Sequence, residues 1–271
     1  MLDKIKETTG FLQNKGISSP ETGIILGTGL GKLVDEIDII ISIDYQDIPN
    51  FPVSTVEFHK GKLIYGKLSG KNVLAMQGRF HFYEGYSLQE ITFPVRVMKA
   101  LGIKYLLISN AGGAMNPEYT KGSIMLLDDH INLLGTSPLV GPNHNNLGPR
   151  FPDMSRPYSA TLNNKLERIA EEENITLHKG VYVVVSGPNL ETRAEYRFLR
   201  RIGADVVGMS TVPEVIVANH AGLPCAAVSV LTDECNPDNL QPINIDDIIQ
   251  TATRAEVDLI VLFKRLIEEI E

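Results

Sequence analysis

Tyr105-Leu106-Leu107-Ile108-Ser109-Asn110-Ala111-Gly112-Gly113-Ala114 holds the pattern on which the fold turns, a short apolar run passing directly into a turn of small residues. Residues 105–109 read as a short strand. A second run of the same kind, 24–26, enters Gly27-Thr28-Gly29-Leu30-Gly31. Glycines let backbone N–H groups crowd round an anion, and the Thr28 hydroxyl adds a donor, so each turn is either a tight reversal or an anion cradle. Dinucleotide binding is the rival reading. It needs G-x-G-x-x-G, and the third glycine here comes one residue early; no Gly-Lys-Ser/Thr closes either turn as a Walker loop requires.

Outward from these runs the chain alternates. Loosely helical spacing of Leu2, Ile5, Phe11 and Leu12 precedes a break at Gly16. Strands are expected at 37–43, 63–65 and 73–76, and a helix at 88–101 with Ser87 as N-cap and Gly102 just past its end. Helices at 159–173, 192–201 and 212–220 are interleaved with strands at 181–185, 206–207 and 225–231, and an amphipathic helix over 245–270 ends the chain. Such alternation predicts an α/β layered fold with a largely buried sheet. No linker rich in Pro, Gly or Ser divides it, so residues 1–271 are expected to form one domain. The stretch 135–157 carries five prolines and is the longest expected loop, a length more often functional than idle.

Bulk properties narrow the partners. Across 271 residues, 43% are hydrophobic and 21% charged, an ordinary globular mix. The formal charge of −8 opposes nucleic-acid and anionic-membrane surfaces, which want clustered Lys and Arg, and leaves small molecules. Two cysteines, Cys225 and Cys235, form neither a C-x-x-C pair nor a metal-spaced cluster. Neither a signal peptide nor a membrane span is readable, and cytoplasmic residence is the expectation.

Chemistry concentrates in Gly78-Arg79-Phe80-His81-Phe82-Tyr83-Glu84-Gly85-Tyr86. In extended conformation Arg79, His81 and Tyr83 would face one way, a charged fork beside two hydrogen-bonding rings. His59 stands in a turn before Gly61, unremarkable by itself. Ser186-Gly187-Pro188-Asn189-Leu190-Glu191-Thr192 ends a strand and precedes a helix, which makes Glu191 either a first-turn acid favoured by the helix dipole or a carboxylate aimed into a site.

Together with Gly208-Met209-Ser210-Thr211-Val212-Pro213-Glu214, these segments resemble, in order, the motifs of the trimeric, low-molecular-mass purine nucleoside phosphorylases over essentially the whole length. The resemblance implies a single α/β domain with a central mixed sheet, partly barrel-like and flanked by helices, a homotrimer, and no cofactor or metal, with orthophosphate as co-substrate of a purine nucleoside. By similarity Thr28, His59, Arg79, His81, the backbone of Ala111 and Ser210 would hold phosphate; Tyr83 and Met209 would meet the ribose; and Phe151 would reach the sugar of a neighbouring subunit. Leu190, Glu191, Val207 and Asp233 would form the base pocket, and His81, Glu191 and Asp233 would take the catalytic parts.

Three positions depart from the pattern of the 6-oxopurine enzymes. Asp233 replaces the base-pocket asparagine, and an ionised carboxylate accepts hydrogen bonds only, which suits an exocyclic amine. Leu190 replaces an aromatic ring, and Ile245 stands where a histidine would approach the 5′-hydroxyl. Asp233 and Ile245 suggest a methylthioadenosine or adenosine phosphorylase as the alternative; Glu191, suited to accept from the N1–H of hypoxanthine or guanine, favours inosine and guanosine. A nucleoside-sensing binding protein is the reading outside enzymes, and it has little use for a second, phosphate-sized subsite.

Overall fold

The computed structural model describes residues 1–55, 60–242 and 244–270. In chain order the strands are β1 (Thr22–Leu26), β2 (Asp38–Asp44), β3 (Lys62–Leu68), β4 (Lys71–Gln77), β5 (Tyr105–Ala114), β6 (Ile124–Asn132), β7 (Leu177–Val184), β8 (Val206–Gly208) and β9 (Cys225–Glu234). The helices are α1 (Leu2–Asn14), α2 (Leu88–Ile91), α3 (Phe93–Leu101), α4 (Ala160–Glu172), α5 (Arg193–Arg201), α6 (Val212–His220) and α7 (Ile245–Glu269).

One continuous mixed sheet runs β2-β3-β4-β1-β5-β8-β7-β6-β9, and β9 returns to pair with β5. Strands β5, β8, β7, β6 and β9 therefore close a ring, with β2, β3, β4 and β1 as a twisted wing. The fold is a single α/β domain, partly barrel-like, as the family resemblance implies.

Alternation along each strand divides the core between two faces. In β1, Ile25 joins a cluster with Ile5 and Leu12 of α1, Val97 of α3 and Val215 of α6. Its neighbours Ile24 and Leu26 join another, with Leu166 of α4 and Leu259, Leu262 and Phe263 of α7. Buried positions 252, 255, 259, 262, 263 and 266 of α7 recur at three and four residues, which puts them on one face against the sheet.

Two expectations need correction. The helix expected at 88–101 is two helices meeting at Thr92. Pro94 has no N–H to donate into the preceding turn, so the first helix cannot run on through it, whereas in the first turn of the second helix that N–H would have no partner anyway. The Thr92 hydroxyl donates to Leu88 O at 2.7 Å across the junction. Residues 78–86, expected to be extended, instead fold after Gly78 into a short 3₁₀ turn at Phe82–Glu84, which His81 and Glu84 cap reciprocally. Strand β6, in which Asp128, Asp129 and Asn132 are exposed, has no counterpart among the strands expected from the sequence.

Candidate active site

Parallel strands β4, β1, β5 and β9 all point their carboxyl ends to one place, the usual location of a ligand crevice in α/β sheets. The turns that follow β4 and β1 and the small-residue end of β5 line a cavity there, together with β8 and the end of β9. Among its lining residues are Thr28, Arg79, His81, Tyr83, Ala111, Leu190, Glu191, Val207, Met209, Ser210 and Asp233, all expected from the sequence. Of the remaining expected residues, His59 lies outside the described residues. Phe151 does not line this cavity and is 87% exposed.

Arg79 is 1% exposed and is held from three directions. Its Nη1 donates to Ser210 Oγ at 2.9 Å and to Thr211 Oγ1 at 3.2 Å, and its Nε lies 3.4 Å from Glu214 Oε1. Asn110 Nδ2 donates to the same Thr211 hydroxyl at 2.9 Å and is itself braced by Ser229 Oγ, which donates to Asn110 Oδ1 at 2.6 Å. Ser210 and Thr211 lead into α6, whose amino end adds partial positive charge beside the guanidinium. A cationic fork, a hydroxyl and a helix terminus in one buried place are the elements from which an anion site is built.

His81 stacks on Tyr83 with ring centroids 4.7 Å apart and planes 12° apart. Its Nδ1 lies 3.2 Å from Glu84 Oε1, so Nδ1 carries the proton and donates it there. Burial lowers the histidine pKa despite Glu84, which keeps the ring neutral at neutral pH. Burial would raise the Glu84 pKa, but hydrogen bonds from His81 and Thr55 bring it down to about 2. Thr55 N donates at 2.8 Å and Thr55 Oγ1 at 2.7 Å to Glu84 Oε2. Burial pushes the neighbouring Tyr83 phenol up to about 12, so it stays a neutral donor.

Around Asp233 a bulge decides what faces inward. Gly112 pairs with Leu231 but Gly113 pairs with Asp233, so Thr232 is the extra residue that re-aims Asp233. Thr232 Oγ1 donates to Asp233 Oδ1 at 3.0 Å and the Cys235 thiol to Asp233 Oδ2 at 3.1 Å. Gly113 is required here, because a Cβ would collide with Cys235 Sγ. Glu191 sits just before Thr192, the N-cap of α5, and its carboxyl is pushed up first by burial and further by the charge of Asp233. It faces the cavity, which decides between the two readings of this residue.

Sequence reasoning missed Tyr196, Cys235 and Ile248, all of which line the cavity. The Tyr196 phenol is pushed up by burial and then by the neighbouring Cys235 and Glu191, and Glu191 in turn feels the charge of Asp233, so these groups share one electrostatic neighbourhood. Cys235 has a readable signal, since it follows directly on the strand that carries Asp233 and an extended chain turns residues two apart to one side. Ile245, expected near the 5′-hydroxyl, is 50% exposed and does not line the cavity; Ile248, one helical turn on, does.

Comparison with known proteins identifies the family. The model of the Phosphorylase superfamily matches residues 21–268. Purine nucleoside phosphorylase 1 of Bacillus subtilis is 49% identical over 271 residues, 100% of each chain, and that of Geobacillus stearothermophilus is 48% identical over 98% of this chain and 97% of its own. A crystal structure of Schistosoma mansoni purine nucleoside phosphorylase in complex with adenosine superposes with a TM-score of 0.94 at 41% identity, covering 99% of this chain and 98% of the other. The chain belongs to the phosphorylase superfamily and, within it, to the purine nucleoside phosphorylases.

Proposed function

We propose that the protein catalyses the reversible phosphorolysis of purine ribonucleosides and deoxyribonucleosides, inosine and guanosine foremost, to free base and pentose 1-phosphate. The observation that carries this reading is one cavity lined both by a buried cationic fork, Arg79 bonded to Ser210, and by the carboxylates Glu191 and Asp233. A hydrolase would need no anion subsite of that kind. Phosphate would lie against Arg79, Ser210, His81, Thr28 and the Ala111 backbone, with His59 of the sequence motif completing the set. Tyr83 and Met209 would meet the sugar.

Cleaving the N-glycosidic bond builds positive charge on the ribose and negative charge on the departing purine. Phosphate held beneath C1′ stabilises the first, and hydrogen bonds at the base stabilise the second, both more in the transition state than before it. An ionised Glu191 accepts from the N1–H of a 6-oxopurine, Asp233 faces the N7 and position-6 edge and His81 fixes phosphate, and these three take the catalytic parts. The chemistry asks for no metal or organic cofactor, and activity is expected to survive exhaustive chelation.

The same reading makes the protein a homotrimer in which Phe151, exposed on its own chain, covers the sugar in the next subunit's cavity. A Phe151→Ala variant would then raise the nucleoside KM, and light scattering would give three times the chain mass. No helix among the described residues is long and apolar enough to cross a membrane. With two free, buried cysteines besides, the reading is of a cytoplasmic enzyme.

The deciding assay offers inosine, guanosine, adenosine and methylthioadenosine with phosphate and in phosphate-free buffer. Base release only with phosphate, fastest from inosine and guanosine, is expected. Equal release without phosphate would mean a hydrolase and overturn the mechanism.

A further inference from the structure

Glu256 lies on the buried face of α7 with 0% of its surface exposed, where a carboxylate costs free energy unless it is well hydrogen-bonded. Its Oε1 accepts from the backbone N–H of Lys32 at 2.7 Å and of Leu33 at 3.2 Å. These are the first N–H groups of the short 3₁₀ helix Lys32–Glu36, whose N-cap residue, Gly31, has no side chain to satisfy them. That helix continues directly from the turn Gly27-Thr28-Gly29-Leu30-Gly31. The turn is thus capped by a carboxylate 224 residues away in sequence.

The same helix holds the turn at a second point. Gly29 has φ +73°, and a Cβ there would stand 2.9 Å from Ala252 Cβ. Ile248, one turn further back, lines the cavity. Residues 248, 252 and 256 are four apart, so a single stripe of α7 touches the cavity wall, the tip of the glycine turn and the N–H groups beyond it.

We propose that Glu256 is a positioning residue for phosphate use: its carboxylate fixes the glycine turn, and so fixes how Thr28 and the turn's backbone are presented to the anion. The inference rests on the phosphorolytic reading for what the turn holds. Lys32 and Asp35 from the 3₁₀ helix face the carboxylate, and Lys60 and Gln77 share the small cavity beside it.

The test is steady-state kinetics of the full-length protein with phosphate and inosine varied separately, for wild type, Glu256→Ala, Glu256→Asp and Glu256→Gln. Glu256→Ala leaves two N–H groups without their acceptor, and Glu256→Asp withdraws the acceptor by one methylene. Each is expected to raise the phosphate KM about tenfold, the scale of an unmade buried hydrogen bond, while the inosine KM stays within about twofold. Glu256→Gln keeps a carbonyl acceptor in place and should restore the phosphate KM to within about threefold of wild type. An unchanged phosphate KM in Glu256→Asp, or phosphate and inosine KM rising together, would overturn the proposal. Should Glu256→Ala not fold, the Asp and Gln variants decide it. Phosphate dependence of the wild type, read in the same assay, tests the underlying reading separately.

Discussion

Arg79 Nη1 donates to Ser210 Oγ at 2.9 Å, tying the turn after β4 to the entry of α6 across 131 residues. The contact joins two segments that the sequence presents as separate motifs, and it makes the anion site a property of the tertiary fold. Because Arg79 also lies against the buried Glu214, removing it has two separable effects. Arg79→Ala should lower kcat/KM for phosphate by about 10²–10³, as loss of a preorganised charge-stabilising donor does. It should also cost about 3–5 kcal/mol in urea denaturation, since Glu214 is left as a buried unpaired charge. Arg79→Met combined with Glu214→Leu should recover most of the stability and none of the activity. Recovery of activity in that double variant would separate Arg79 from phosphate.

Asp233 receives one donor on each carboxylate oxygen, from Thr232 and from Cys235. It can still only accept when ionised, which suits the exocyclic amine of adenine better than the carbonyl of hypoxanthine. Asp233→Asn is expected to shift the ratio of kcat/KM toward inosine over adenosine, by about tenfold for one well-placed hydrogen bond. Unchanged relative rates would remove Asp233 from base selection.

The two cysteines should be chemically silent in the native state. Only the thiolate is a nucleophile, and burial pushes the Cys225 thiol up to about 12 and the Cys235 thiol higher, the latter helped by the charge of Asp233. A disulfide-exchange reagent at mildly alkaline pH should titrate no thiol within minutes in native protein and both after denaturation. Rapid reaction of one thiol in the folded protein would contradict this picture of the base pocket.

Burial pushes the Glu256 carboxyl up to about 7, against the pull of its two N–H donors. The folded state then keeps its proton until about pH 7, whereas the unfolded chain releases it near 4.5, the ordinary value for this side chain. Stability from this site is full at low pH and falls as pH rises through that window, because the folded state binds the extra proton. Glu256→Gln carries no titrating group there. Its stability relative to wild type should improve by up to about 3 kcal/mol from acid to mildly alkaline pH, measured by denaturant titration. A difference that does not change with pH would place the carboxylate in a solvated setting.

Much of the architecture was legible because it rests on local signals. Short apolar runs ending in Gly27-Thr28-Gly29 and Ala111-Gly112-Gly113 marked where strands hand over to the cavity, and Ser87 and Gly102 marked helix ends. What the sequence did not disclose depends on distant partners. Strand β5 extends through its glycines to Ala114 because β9 and β8 pair with it there. Strand β6 carries Asp128, Asp129 and His130 in succession, so it lacks the apolar continuity of its neighbours. Arg79, His81 and Tyr83 reach one cavity although the spacing argument assumed an extended chain; a 3₁₀ turn stacks the rings of His81 and Tyr83 instead. Tyr196 reads as a core position of amphipathic α5, and only the approach of Cys235 and Glu191 makes it part of the site.

The most direct test is a crystal structure grown with orthophosphate and a purine nucleoside analogue that cannot be cleaved. The account predicts the phosphate within hydrogen-bond distance of Thr28, Arg79, His81 and Ser210, beneath the sugar, with the base against Glu191 and Asp233. Phosphate elsewhere, or a base seated beside Arg79, would contradict it.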